Sequence, residues 1–211
     1  MELGVNDILA RPIDPQELTL RARTQIKRKR YTDLLRSNLD QSLELAVTDQ
    51  LTGLHNRRYM VTQLSALVAR AIKGGDPVSI LMIDIDHFKK INDGFGHDVG
   101  DMVLREFSVL LASNVRAIDL PCRYGGEEFI VVMPGTDADA ALRIAERIRK
   151  SVSETSFSLG SEGEALAVTV SIGLACADGD MDTPETLLKR ADEAVYGAKA
   201  GGRNQVIVRS I

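Results

Sequence analysis

The sequence predicts an α+β fold, a mostly antiparallel central sheet with flanking helices, preceded by a long N-terminal helix. Three observations carry that expectation. Gly125-Gly126 sits between two apolar runs, Leu120 to Tyr124 and Phe129 to Met133, and reads as the turn of a β-hairpin, because primed two-residue turns need the positive φ that glycine adopts without strain. Helical and strand periodicities follow one another as β-α-α-β-β-α-β-α-β, which with a hairpin inside it gives a mostly antiparallel sheet. From Pro15 to about Val47 a helical pattern runs without interruption by glycine or a further proline.

Composition narrows the class. The 211 residues provide one domain of about 150–170 residues plus an appendage. Apolar residues make up 44% and charged residues 27%, as in a soluble globular chain. The N-terminus lacks the basic start and apolar core of a signal peptide, and no apolar run approaches the roughly 20 residues of a membrane span. Cys122 and Cys176 are too few for a disulfide framework and lack metal-site spacing, so both are expected as buried small hydrophobes in a reducing cytoplasm. Residues 1–30 carry net +3, whereas residues 31–211 carry net −7. An acidic body does not suit tight nucleic-acid binding, and neither nucleic acid nor membrane is an expected partner.

Taken in order, residues 5–13 read as a short strand. Asp14 then caps a helix with Pro15 at its first position, and Leu35, Leu39, Leu43 and Ala46 form a stripe along it. Such a helix spans roughly 45 Å, too long for a packed part of a small domain, so residues 15–47 read as a signalling or dimerisation stalk. Six basic residues lie between Arg21 and Arg30 and read as a solvated helix face. Asp49 to Arg58 is the joint, and Asn56 caps a helix whose apolar face is Tyr59, Leu64, Leu67, Val68 and Ala71. Gly74-Gly75-Asp76-Pro77 ends it. Val78 to Ile85 is a buried strand closing in Asp84-Ile85-Asp86. Helices are expected over Phe88–Phe95 and then with Val103, Leu104, Phe107, Leu110, Leu111 and Val115 inward. The hairpin follows, then a helix over Ala138–Val152. Leu166 to Leu174 alternates as a strand with one face on the core. A last helix, Pro184–Ala200, and a last strand, Gln205–Val208, complete the chain.

The chemistry gathers at two places. An isolated Gly-Gly-Glu-Glu is an ordinary polar turn. Together with a strand ending in Asp84, whose neighbour across the sheet could be the Glu127 hairpin, it forms a hard-oxygen site suited to Mg²⁺ or Mn²⁺ shared with phosphate oxygens. Asp86 is read as pointing away from such ions, on the alternation of strand faces.

Five stretches carry a resemblance. Arg123 to Phe129, Asp84 to Asp93, Gly96 to Asp101, Asp49 to Arg58 and Ala191 to Asn204 together resemble the GGDEF family of diguanylate cyclases, over residues 48–211. That resemblance implies a nucleotide-cyclase-like palm in which two GTP condense to cyclic di-GMP with release of two pyrophosphates, each subunit of a homodimer holding one GTP. Two Mg²⁺ or Mn²⁺ ions per site are implied on Asp84, the Ile85 carbonyl and Glu127. Glu127 is the implied acceptor of the 3′-hydroxyl proton, with Glu128 a further ligand or orienting acid. Asn92 and Asp101 are implied to read guanine, and Gly125 and Gly126 to leave room for the nucleotide. Backbone around Phe88 and Lys89, with Lys199 and Arg203, is implied to cradle the β- and γ-phosphates. Glu127 in place of the family's Asp is a substitution the family itself uses.

Arg116 to Asp119 lies just before the hairpin. Alone it is an i,i+3 salt bridge near a helix end; the resemblance makes Arg116 and Asp119 an inhibitory product site for cyclic di-GMP, with Arg147 and Arg70 as further contacts. Gly4 to Ile13 with the following helix resembles the end of a response-regulator receiver domain, so residues 1–14 read as its remnant. The alternative to catalysis is a sensor that binds GTP or cyclic di-GMP without turnover and signals through the N-terminal helix.

Overall fold

The computed structural model describes residues 14–158, 165–177 and 182–209, and for residues 39–44 the backbone alone. The strand expected over residues 5–13, and with it the receiver remnant, lies outside them. The chain divides into two compact units at Leu45/Ala46. The first is dominated by α1 (Pro15–Val47). Asp14 caps it as expected: its carboxylate accepts the Gln16 N–H at 2.9 Å and its carbonyl the Leu18 N–H at 3.0 Å. Described side chains from Asp14 to Asn38 are exposed apart from half-buried Gln25. Leu39 and Leu43 of the expected stripe lie outside the described side chains.

The second unit contains β1 (His55–Asn56), α2 (Arg57–Ile72), β2 (Val78–Ile85), α3 (Phe88–Phe95), α4 (His97–Ser113), β3 (Leu120–Gly125), β4 (Glu128–Pro134), α5 (Ala138–Glu154), β5 (Ser156–Ser158), β6 (Ala165–Ala167), β7 (Val170–Cys176), α6 (Pro184–Ala200) and β8 (Val206–Arg209). Six strands form one sheet in the order β1-β3-β4-β2-β7-β8, and β5 with β6 form a separate ribbon. The β2–β4, β2–β7 and β3–β4 pairs are antiparallel, while β1–β3 and β7–β8 are parallel. The sheet is therefore mixed and mostly antiparallel, with helices on both faces.

The central strand β2 is buried along its whole length. Alternation sorts its side chains into two cores. Leu81, Ile83 and Ile85 join Phe107, Phe129, Val131, Ile172 and Leu174 on the side of α3, α4 and α5. Val78, Ile80 and Met82 join Ile130, Val132, Ala175, Leu64, Val68 and Leu187 on the side of α2 and α6. Asp84 is the next position on that second face, at the carboxyl end of the strand. The helix caps fall where the side chains dictate: Asn56 accepts the Tyr59 N–H at 3.0 Å and Asp137 the Ala140 N–H at 2.8 Å.

Four expectations change. The hairpin turn is Gly126-Glu127, not Gly125-Gly126: Gly125 pairs with Glu128, and Gly126 takes φ +53° at the first loop position, where a II′ turn requires glycine. A register shift between Arg123 and Gly125 absorbs the displacement. The segment 166–174 is not one strand with one covered face; it breaks between β6 and β7, and β7 is buried on both sides. Its second face is covered by α6, which comes so near that a Cβ on Gly173 would lie 2.1 Å from the Ala191 carbonyl oxygen. Cys122 is fully buried, its thiol pushed up to about 12 by that burial, but Cys176 is only half-buried. The short strands β1 and β5 were not expected, being two or three residues with no period to read.

Gly173→Ala is therefore expected to destabilise the domain by about 3 kcal/mol. Urea unfolding checks this, with a lowered midpoint and an unchanged slope as the expected result.

Candidate active site

The β2–β4 register sets Asp84 opposite Glu128, and the next residue, Ile85, donates its N–H to the Glu127 carbonyl at 3.3 Å. Opposed residues in such a pair have Cα atoms roughly 4.5–5.5 Å apart, so the end of β2 and the hairpin tip bring Asp84, Glu127 and Glu128 together. Asp84 is 5% exposed. Burial raises its carboxyl to about 6; the negative charges of Glu127 and Glu128 add to the rise, and the Lys199 ammonium, 2.7 Å from Oδ2, works against it.

Among the described residues no three His, Cys, Asp or Glu side chains converge closely enough to enclose an ion by themselves. The donors at hand, the Asp84 and Glu127 carboxylates and the Ile85 carbonyl, are hard oxygens. They fit Mg²⁺ or Mn²⁺, which takes one or two carboxylates and completes its shell with water and phosphate. A desolvated carboxylate beside two like charges is also the setting that a divalent cation relieves.

The hairpin tip is held from behind. Arg123 donates through Nε to the Gly126 carbonyl at 3.0 Å and through Nη1 to both Asp49 oxygens at 3.2 and 3.4 Å. Asp49 in turn accepts the Thr52 N–H and hydroxyl at 3.0 and 2.8 Å. Burial acts to raise the Asp49 carboxyl, but these bonds outweigh it and hold it below the ordinary range. Asn56 ties the same joint to the end of α1 by donating to the Ala46 carbonyl at 3.0 Å.

The residues assigned to the nucleotide lie on three elements. Asn92, in the last turns of α3, packs on the bare Cα of Gly100, where a Cβ would sit 2.0 Å from its Oδ1; Asp101 is the next residue of α4, and both are half-buried. At the start of α3, His87 is left-handed (φ 58°) and its side chain makes no cap, so the leading N–H groups have no helical partner. The Phe88 side chain is core, leaving only its backbone for a ligand, while Lys89 is exposed. Lys199 stands on Asp84, and exposed Arg203 follows α6. Arg203 and Asn204 are both left-handed, with φ 65° and 45°, a conformation costing about 1–3 kcal/mol per non-glycine residue unless the surroundings hold it.

Asp86 is engaged elsewhere, but not because strand faces alternate: positions 84 and 86 are two apart and share a face. Its carboxylate accepts from the Ser171 and Thr169 hydroxyls, each at 2.7 Å, and from the Asn204 N–H at 3.1 Å.

The second arginine cluster lies at the far end of β3, about 20 Å of extended chain from Gly125. Asp119 accepts the Arg116 N–H at 2.8 Å and its guanidinium at 3.1 and 3.4 Å, and Arg116 also donates to the Thr136 hydroxyl. The Asp119 side chain is fully buried while Arg116 is 49% exposed. This is not a plain surface pair: Asp119 closes its own loop and aims Arg116, and only Arg116 faces outward. Arg147, on α5, donates to the Asn114 carbonyl at 2.7 Å, close by in sequence to Arg116. Arg70 is on α2, in the layer on the other side of the sheet from α4 and α5.

This fold and acid pair define the class. The family model for the diguanylate cyclase GGDEF domain matches residues 46–205, and the chain belongs to that family. It is similar to the response regulator PleD of Caulobacter vibrioides, 70% identical over 207 residues that make up 98% of this chain and 46% of PleD. Diguanylate cyclase A of Treponema denticola is 44% identical over 172 residues, 80% of this chain and 46% of the relative. This chain thus spans about half the length of these relatives. The crystal structure of the coiled coil and GGDEF domain of DgcB from Caulobacter crescentus, in complex with c-di-GMP, superposes with a TM-score of 0.82 at 34% identity, over 90% of this chain and all of that one. The active GGEEF domain of a diguanylate cyclase from Vibrio cholerae gives 0.69 at 36% identity, over 77% of this chain and all of that one. No helix among the described residues is long and apolar enough to cross a membrane.

Because Asp84 titrates near 6, a proton competes with any cation there. Mn²⁺ affinity, measured by titration calorimetry, is expected to fall about tenfold per pH unit below that value. In the ion-free protein the folded state binds the extra proton between the ordinary carboxylate range and about 6. Stability should therefore decline as pH rises through that window and level off above it.

Proposed function

We propose that this chain acts as a diguanylate cyclase, condensing two GTP into cyclic di-GMP with release of two pyrophosphates. The observation that supports this most is the Asp84–Glu128 register with the Ile85–Glu127 hydrogen bond beside it, in a chain 98% of which aligns with the response regulator PleD and 80% with diguanylate cyclase A.

Asp84, the Ile85 carbonyl and Glu127 would hold two Mg²⁺ or Mn²⁺ ions, which when bound would supply charge neutralisation at the α-phosphate and the leaving pyrophosphate. Glu127 accepts the proton of the attacking 3′-hydroxyl, and Glu128 orients that acid or adds a ligand. Asp101 and Asn92 receive the guanine edge; a carboxylate there favours guanine's N1–H and 2-amino donors over adenine. The N–H groups of Phe88 and Lys89 take phosphate oxygens at the start of α3, and the side-chain-free backbone of Gly125 and Gly126 leaves room for the nucleotide. Lys199 and Arg203 would bind the β- and γ-phosphates.

Each new bond from a 3′-oxygen to phosphorus breaks one bond between α-phosphorus and the pyrophosphate oxygen. One chain binds one GTP, so closing the ring takes two sites face to face in a homodimer. Residues 15–47 serve as its signalling and dimerisation helix, residues 1–14 as the end of a receiver domain, and residues 48–211 as the cyclase. A GTP substrate supports a cytoplasmic location. Cyclic di-GMP feeds back at exposed Arg116, aimed by Asp119, with Arg147 beside it and Arg70 contributed from another chain.

Incubation with GTP and Mg²⁺ followed by mass analysis tests the proposal. Wild type is expected to yield cyclic di-GMP at a rate rising faster than linearly with protein concentration. Glu127→Gln should reduce turnover by about 100-fold or more while cyclic di-GMP binding persists. Nucleotide binding by wild type without any product would favour the sensor reading, and unchanged turnover in Glu127→Gln would remove the role given to that acid.

A further inference from the structure

Asp86 belongs to neither the acid pair nor the guanine pocket, yet it is 5% exposed and both of its carboxylate oxygens are engaged. Oδ1 takes the Ser171 hydroxyl, and Oδ2 takes the Thr169 hydroxyl and the N–H of Asn204, 118 residues away in sequence. A buried carboxylate is ordinarily matched by a cation; this one is spent on two hydroxyls of the β7 approach and one backbone amide. That amide belongs to the second of two consecutive left-handed residues, Arg203 and Asn204. From α5, Arg149 Nη1 donates to Asn204 Oδ1 at 3.0 Å and to its carbonyl at 3.5 Å. The Arg203 N–H returns to the Ala198 carbonyl at 2.9 Å. The turn after α6 is thus pinned from the end of β2 and from α5, and it carries Arg203 only four residues beyond the lysine that rests on Asp84.

We propose that Asp86 is a positioning residue for the terminal phosphates of the nucleotide: by holding the Asn204 amide it fixes where Arg203 projects relative to the acids on β2 and the hairpin. The proposal rests on the GTP reading of the site. Asp86→Asn keeps the shape of the side chain but replaces an acceptor oxygen with a donor group or a weaker neutral acceptor opposite the amide.

The probes are a non-hydrolysable GTP analogue and GMP, each titrated with Mg²⁺ present against the full chain. In Asp86→Asn, affinity for the triphosphate analogue is expected to drop about tenfold with GMP affinity unchanged. Arg203→Ala should show the same selective loss, and the double variant no more than either alone. Arg149→Ala, on the surface of α5, should give a smaller loss with the same selectivity, and it serves in place of Asp86→Asn if that variant does not fold. Equal weakening of both nucleotides, additive losses in the double variant, or unchanged selectivity in both Asp86→Asn and Arg149→Ala would overturn the positioning role. Wild type that binds neither nucleotide would bring down the GTP reading itself, and this role with it.

Discussion

The pairing of β2 with β4 is the constraint on which the site depends. Seven residue pairs run from Val78↔Pro134 to Asp84↔Glu128, and the last of them opposes two acids. A slip of one residue would turn every side chain of a strand to the other face. Val78, Ile80 and Met82 could not change places with Leu81, Ile83 and Ile85, because each set fills a different core under different helices. The hydrophobic register is thereby the acid register. Burial that stabilises the domain also delivers Asp84 to the hairpin tip, and no separate device is needed to aim it.

The same burial explains the electrostatics. Asp84 lies at the rim of the core shared with α2 and α6, so it is desolvated, and the adjacent glutamates act against its ionisation. Lys199 offsets this in part, from the last turn of α6, where a cation also suits the helix dipole. An acid cluster held by the fold and incompletely neutralised by the protein itself is preorganised to accept added positive charge. Rigidity behind the hairpin comes from Asp49 and Arg123, whose contact closes a span of 74 residues and reaches the Gly126 carbonyl immediately before Glu127.

Much of this was legible in sequence wherever one local rule decided the outcome. Helix α6 begins and ends where Thr183, Pro184 and Gly201 place it, α3 ends at Gly96, and β2 follows from a β-branched apolar run. What was missed depended on partners distant in sequence. Nothing near Gly125 indicates that the turn slips by one residue, because the displacement is absorbed by the shift at Tyr124. The alternation in 166–174 identifies one buried face correctly, but Ser171 and Gly173 read as a solvent face until α6 is known to cover them. The contact of Asp49 with Arg123 follows no spacing rule. For Asp86 the sequence excludes a ligand on the wrong ground, strand alternation; what occupies it are hydroxyl and amide partners distant in sequence. Asp119 belongs to an Arg-x-x-Asp pattern that looks like a surface pair, and burial is what turns it inward.

The account stands on a shared cation at the end of β2. Anomalous diffraction from crystals grown with Mn²⁺ and a non-hydrolysable GTP analogue measures this directly. The expected result is a manganese peak within about 2.5 Å of carboxylate oxygens from both Asp84 and Glu127. A peak touching only one of those residues, or lying elsewhere on the domain while the nucleotide is bound, would contradict it.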